Sequence, residues 1–142
     1  FTGCTSLDYI LRDKELNEQK LKSAAAYTSA PVTLPYKNLV DQKRAAEIRE
    51  YYKSQAGLDL DEISASSKNT REKALQIARF VSDNIPHTNQ KVQMSKRNAL
   101  TLWEYSRKYP DGFNCCWHSI LLSELLLSVR IKNRFITCLP ED

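Results

Sequence analysis

Hydrophobic residues recur at the spacing of an α-helix in four stretches of this chain, and the residues around each stretch predict where the helix begins or ends. The first predicted helix runs to Ala56, where Gly57 is a suitable C-terminal stop. A polar loop is predicted at residues 64–69. The apolar positions of the first helix are Leu39, Val40, Ala45, Ala46, Ile48, Tyr51 and Tyr52.

The next two predicted helices are bounded by capping residues and a proline. Asn69 and Glu72 have the spacing of a capping box, and Pro86 ends the helix that they open. A short third helix is predicted at residues 98–105. The apolar face of the second helix consists of Ala74, Leu75, Ile77, Ala78, Phe80 and Val81, and that of the third contains Leu100, Leu102 and Trp103.

The fourth predicted helix is apolar on nearly every face, which indicates a core helix rather than a surface one. It follows the turn sequence Tyr-Pro-Asp-Gly of residues 109–112 and should start near residue 114. A short basic turn comes next, and the aromatic and β-branched residues after it predict a first strand near residues 133–139. The apolar positions of the helix are Ile120, Leu121, Leu122, Leu125, Leu126, Leu127 and Val129.

The predicted start of the fourth helix carries a cysteine, Cys115. The N-terminus of a helix presents unpaired backbone N–H groups and a partial positive charge. Both features stabilise a thiolate, and the thiolate is the nucleophilic form of cysteine. Cys115 is therefore the candidate nucleophile of this chain.

Composition and charge narrow the classes of function. The chain has 142 residues, of which 42% are hydrophobic and 27% are charged, and these values suit one globular domain. The net charge of +4 is small, and no basic block alternates with aromatic residues, so a nucleic-acid partner is not expected. No apolar run is long enough to cross a bilayer.

The first residues contain a second motif. Thr2 and Gly3 precede Cys4, and this run resembles the end of a bacterial lipoprotein signal peptide, although Phe1 stands where Leu is usual. The motif predicts a lipid anchor on Cys4 and a place at the bacterial cell envelope, facing the periplasm or the exterior. The alternative is an incidental cysteine near the terminus.

The segment between this motif and the predicted helices has two parts. Residues 7–26 are charged with a thin apolar stripe, which is typical of a helical stalk, or of a helix that packs on the domain. Residues 27–35 have the Thr, Ser and Pro content of a linker. We therefore expect residues 1–35 to precede the domain, which begins at residue 36.

The chain around Cys115 resembles the core of the transglutaminase-like superfamily. An amide residue, Asn114, precedes the cysteine, and a small residue, Ser119, follows it by four positions. The Leu-rich helix then ends in an Ile-x-x-Arg sequence, formed by Ile131 and Arg134, that enters the predicted strand.

One part of this resemblance departs from the family pattern. In the superfamily the helix ends in a sequence such as Gly-Ile-Pro-Ala-Arg. Here Arg130, Lys132 and Asn133 replace the Gly, Pro and Ala, although the spacing is kept.

The resemblance implies an α+β fold with a cysteine-protease-like or transglutaminase-like core, mostly helical within this chain. It implies a Cys-His-Asp triad in which Cys115 attacks an amide or peptide carbonyl of a protein or peptide substrate, and the thioester passes its acyl group to water or an amine. The His and Asp are expected on strands after residue 139. Residues 36–142 are therefore expected to be the N-terminal part of such a domain, inactive alone and without cofactor or metal.

Three further residues are candidates for the oxyanion site or the cleft. Asn114 adjoins Cys115, His87 lies in a polar loop before it, and Trp117 follows it on the same helix. A solvated surface position for His87 and a core position for Trp117 remain open. His118 is not expected to be the base, because a side chain in the first helical turn points along the helix.

The cysteines leave other interpretations open. Cys116 and Cys138 are a conceivable disulfide pair in an exported protein. Cys115, Cys116, His118 and Cys138 have the ligand types of a zinc site, although the C-x₂₋₄-C spacing of such sites is missing. The alternative to an enzyme is a non-catalytic lipoprotein that serves as a binding or scaffold module with an inert thiol.

The lipoprotein motif predicts a diacyl group on Cys4. Mass spectrometry of the full-length protein from its native host should find the acyl mass on the peptide that begins at Cys4. Finding only the unmodified peptide would show that the anchor prediction is wrong.

Overall fold

The computed structural model describes residues 40–133, and these residues contain five α-helices. The helices are α1 (Gln42–Tyr51), α2 (Leu60–Ser66), α3 (Thr70–Asn84), α4 (Ala99–Lys108) and α5 (Cys115–Ser128). Helix α1 continues as a π-helical turn, Tyr52–Ala56, which ends at Gly57 with a positive φ of 68°. None of these helices combines the length and apolar character that a membrane crossing requires.

Helix α5 lies at the centre of this unit, because α1, α3 and α4 all pack against it. Its apolar residues cover all sides, so it can be removed from water only when other helices surround it. The surrounding helices supply an apolar core, in which the side chains less than 2% exposed include Ile48, Tyr52, Ile77, Leu102 and Leu121. The prediction of a core helix starting near residue 114 is confirmed.

The prediction of an α+β fold is wrong for the part of the chain that the structure describes. Residues 40–133 contain no β-strand, and their β-type contact is an isolated parallel bridge between His87 and Phe113. The helices satisfy their own backbone hydrogen bonds and bury one another's apolar faces, so a sheet is not needed to form this core. Most of the predicted strand at 133–139 lies outside the described residues, and Asn133 itself bonds to Ser123 through its side chain (2.6 Å).

The capping predictions agree with the helix starts in detail. The Asn69 side chain accepts the Glu72 N–H (2.9 Å), while the Glu72 carboxylate accepts the N–H of Lys68 (2.6 Å), one residue earlier than in the usual box. Asn98 forms a complete capping box with Thr101 at the start of α4. Helix α2 was not predicted, because only Leu60 of its seven residues is buried and its C-terminal half was assigned to a polar loop.

A buried carboxylate joins α5 to α4 and α1. Glu124 is 5% exposed, and its Oε2 accepts the Ala99 N–H at the first residue of α4 (2.6 Å) and lies 4.0 Å from Arg44 Nη2. The Tyr52 hydroxyl donates to the Ala99 carbonyl (2.7 Å), and burial raises the pKa of Tyr52 well above its usual value, so it stays a neutral donor. Glu124 thus acts as an N-terminal cap supplied by another helix.

The C-terminal end of α5 closes in a Schellman motif. The Ile131 N–H donates to Leu126 O (2.9 Å), and the Arg130 N–H donates to Leu127 O (3.0 Å). Arg49 of α1 also donates to Ser128 O (2.7 Å). The motif forces Arg130 into the left-handed region, with a φ of 63°, where a side chain costs about 1–2 kcal/mol.

Replacing the exposed Arg130 with Gly should therefore stabilise the protein. We expect Arg130→Gly to raise the free energy of unfolding by about 1 kcal/mol, measured by urea denaturation. Arg130→Ala is the matched control, because it removes the same guanidinium but keeps a Cβ at positive φ. Equal stabilities of the Gly and Ala variants would contradict the strain at this position.

Candidate functional site

The candidate site is built around the first turn of α5. Asn114 is the N-cap residue: its Oδ1 accepts the Trp117 N–H (3.1 Å) and its backbone O accepts the His118 N–H (3.1 Å). Cys115 is the first helical residue, at the end of α5 where the helix dipole is positive. The predicted placement of a cysteine at a helix start is confirmed.

A cluster of buried aromatic side chains includes Trp117 of this turn. Trp117 is 1% exposed and contacts Tyr105 edge-on, with ring centroids 5.1 Å apart. Phe113 is fully buried, with its ring centroid 5.7 Å from that of Trp117. The structure thus places Trp117 in the core, where its ring packs against Tyr105 and Phe113.

The segment after α3, residues 85–90, is joined to the chain that enters α5. The Phe113 N–H donates to Pro86 O (3.3 Å), and the Thr88 N–H donates to Phe113 O (3.1 Å), which together make the parallel bridge. The Gln90 Oε1 accepts the Asn114 N–H (3.1 Å). We call residues 85–90 the docking segment, because these bonds attach it to the residues just before Cys115.

Gly112 permits the close approach of these two backbones. Its φ is 82°, and a Cβ added to it would lie 1.8 Å from Pro86 O. Any side chain at this position would displace the docking segment, so glycine is required here for two reasons, the positive φ and the contact.

The two histidines of the chain, His87 and His118, lie close together near the start of α5. The His118 ring lies between two backbone carbonyls, with Nδ1 2.9 Å from Asn114 O and Nε2 3.0 Å from Ile85 O. The exposed His87 follows Pro86 in the docking segment, and its ring centroid is 6.0 Å from that of His118. The structure thus brings the predicted cleft residue His87 to the start of α5.

The two adjacent cysteines differ in chemical state. Cys115 is disulfide-bonded, whereas Cys116 is a thiol, and both are partly exposed. A sulfur in a disulfide is not a thiolate, so Cys115 can act as a nucleophile only after reduction. The predicted modification site Cys4 lies outside the described residues.

The zinc interpretation gains no support from the described part of the chain. Within residues 40–133, no three His, Cys, Asp or Glu side chains are grouped so that they could hold a metal ion. Both ring nitrogens of His118 are already directed at carbonyl oxygens.

A small cavity of about 40 Å³ opens beside the docking segment. Gln90, Tyr105, Tyr109 and Asp111 are among the residues that line it. Its volume is enough for about one or two water molecules, so it is not by itself a substrate pocket.

Sequence reasoning missed Gln90 and the bridging role of His118. The Gln90 side chain bonds to the backbone of Asn114, 24 residues away, and the His118 ring lies beside the Ile85 carbonyl, 33 residues away. No local sequence pattern indicates such contacts. Gly112 was identified as a turn residue, but its contact with Pro86 depends on how the docking segment lies and could not be predicted.

Comparison with known proteins finds no family model, no curated protein and no solved structure that matches this chain.

The contact at Gly112 yields a stability prediction with a matched control. Gly112→Ala should lower the free energy of unfolding by about 3 kcal/mol, the sum of the left-handed strain and the two bridge hydrogen bonds. Gly57→Ala should cost only about 1 kcal/mol, because Gly57 also has a positive φ but nothing within 4 Å of an added Cβ. Urea denaturation measures both, and equal losses would show that the Gly112 contact is unimportant.

Proposed function

We propose that this chain is part of a transglutaminase-like cysteine enzyme that acts on amide or peptide bonds of a protein or peptide substrate through a thioester at Cys115. One observation carries the proposal: Cys115 is the first residue of the buried helix α5, directly after its N-cap. The helix dipole there stabilises the thiolate once the disulfide is reduced, and Cys115 is partly exposed.

The end of α5 is compatible with the resemblance. The family pattern has glycine where this chain has Arg130, and Arg130 adopts the left-handed conformation that glycine favours. This conformation ends many helices, so it agrees with the family pattern without identifying it.

The proposed chemistry starts from the reduced protein, because a thiol donor must first reduce the Cys115 disulfide to the thiolate and is itself oxidised. Two steps follow. The thiolate of Cys115 adds to the substrate carbonyl, the C–N bond breaks, and ammonia or an amine leaves with a proton from the general acid, so that a thioester forms. Water or a second amine then attacks the thioester, gives up a proton to the same group, and releases the Cys115 thiolate. The resemblance implies a His and an Asp after residue 139 for this proton transfer, and His118 is not available for it, because both its nitrogens face carbonyls.

The disulfide at Cys115 supports an oxidising environment for the proposed enzyme. Disulfides persist in oxidising compartments such as the bacterial periplasm or the cell exterior. This agrees with the envelope location that the Cys4 motif predicts, and we propose a lipid-anchored protein on that side of the membrane.

The same disulfide favours a second candidate function. A cysteine held in a structural disulfide has no catalytic role, and the chain would then be a non-catalytic binding or scaffold module of the envelope. The two candidates differ in what the Cys115 sulfur does after reduction.

Thiol labelling of the full-length protein distinguishes these candidates. After reduction with dithiothreitol and its removal, we expect iodoacetamide at pH 7 to alkylate Cys115 about tenfold faster than Cys116, because the general base of the proposed enzyme would activate Cys115 alone. Ammonia release from a glutamine-containing peptide should be lost in Cys115→Ala and kept in Cys116→Ala. Mass spectrometry and an ammonia assay give the two readouts.

The scaffold function predicts the opposite results. Cys115 would then react no faster than Cys116, any amide hydrolysis would survive Cys115→Ala, and reduction would only lower the melting temperature. Serine variants of Cys4 and of Cys138, prepared separately, would show which of these two cysteines is needed for the oxidised form of Cys115.

A further inference from the structure

His118 makes a bridge between two segments that are distant in sequence. Its Nδ1 lies 2.9 Å from Asn114 O, at the start of α5, and its Nε2 lies 3.0 Å from Ile85 O, at the end of α3. Ile85 is 2% exposed, and the ring of the buried Phe113 lies against the imidazole, with centroids 4.6 Å apart. The imidazole thus contacts the Phe113 ring, and each of its nitrogens lies near a backbone carbonyl oxygen.

The chemistry of the partners limits what this ring can do. A backbone carbonyl only accepts hydrogen bonds, and a neutral imidazole has a single N–H, so the tautomer decides which of the two carbonyls His118 donates to; only a doubly protonated ring would donate to both. In either tautomer the ring bonds to one segment and lies against the other.

The contact with Asn114 acts directly on Cys115. Asn114 O belongs to the peptide unit whose nitrogen is the backbone N of Cys115, and a peptide unit is planar. Fixing the direction of that carbonyl therefore fixes the direction of the Cys115 N–H and the position of its Cα. The same carbonyl also accepts the His118 N–H (3.1 Å), so it is held from two sides.

The contact with Ile85 acts on the docking segment. Ile85 O belongs to the peptide unit that leads into Pro86, and Pro86 O accepts the Phe113 N–H. The contact with His118 therefore anchors the start of the segment whose later residues, Thr88 and Gln90, bond to Phe113 and Asn114.

We propose that His118 is a positioning residue, which clamps the docking segment to the first turn of α5 and so fixes the orientation of Cys115. The role in positioning a nucleophile rests on the proposed function, whereas the clamp itself does not. His118 contacts neither substrate nor reacting atoms in this role; it acts through Asn114.

Two measurements on the same variants test this proposal. In His118→Leu, which cannot donate, the amide hydrogens of Thr88 and Phe113 should exchange with solvent about tenfold faster than in the unmodified protein, because opening of the docking segment becomes easier. After reduction, the alkylation rate of Cys115 should also fall about tenfold, while that of Cys116 stays the same. His118→Gln, whose amide can donate, should recover part of both effects.

Internal controls separate this role from a general loss of structure. The amide hydrogens of Leu121 and Leu125, in the buried middle of α5, should keep their slow exchange in both variants. Unchanged exchange at Thr88 and Phe113 in His118→Leu would overturn the clamp. Faster exchange with an unchanged Cys115 rate would overturn the positioning role.

The experiment also separates this proposal from the proposed function. If reduced Cys115 of the unmodified protein reacts no faster than Cys116, the enzyme function and the positioning role both fail. The exchange of Thr88 and Phe113 then still upholds or overturns the clamp, because it is measured on the oxidised protein without any substrate.

Discussion

The burial of α5 is the constraint on which the rest of the described structure depends. A helix that is apolar on all sides must be enclosed, and α1, α3 and α4 enclose it. Enclosure leaves Glu124 in the interior, where a carboxylate without partners would be very costly. Glu124 accepts the Ala99 N–H and lies near Arg44, so its carboxylate has partners. The first of these bonds joins α5 to the first residue of α4.

Both ends of α5 are joined to other parts of the described chain. The C-terminal end is closed by the Schellman motif and by Arg49. The N-terminal end is closed by the docking segment, through the bridge to Phe113, the Gln90 side chain and the His118 ring. Cys115 therefore directly follows residues that are bonded to the docking segment.

The sequence predicted those features that depend on residues close together in the chain. Gly57, Asn69, Pro86 and Asn114 marked helix ends correctly, because capping and chain breaking act within one turn. The fold class was wrong, because it came from the family resemblance, whereas residues 40–133 form their backbone hydrogen bonds within helices and pack as a helical core. The bonds of Glu124, Gln90 and His118 could not be predicted, since each joins residues 24 or more apart and depends on how the helices pack.

The helix start affects both the disulfide of Cys115 and the reactivity proposed for its thiol. A helix N-terminus stabilises a thiolate, and a stabilised thiolate is a good leaving group in thiol–disulfide exchange. A disulfide that includes Cys115 should therefore be easier to reduce than one at an ordinary position, because its reduced form is favoured. A purely structural disulfide gains nothing from such a location, whereas an enzyme whose thiol must be recovered does. The placement of Cys115 at the start of α5 thus favours the catalytic proposal even though the sulfur is oxidised in this structure.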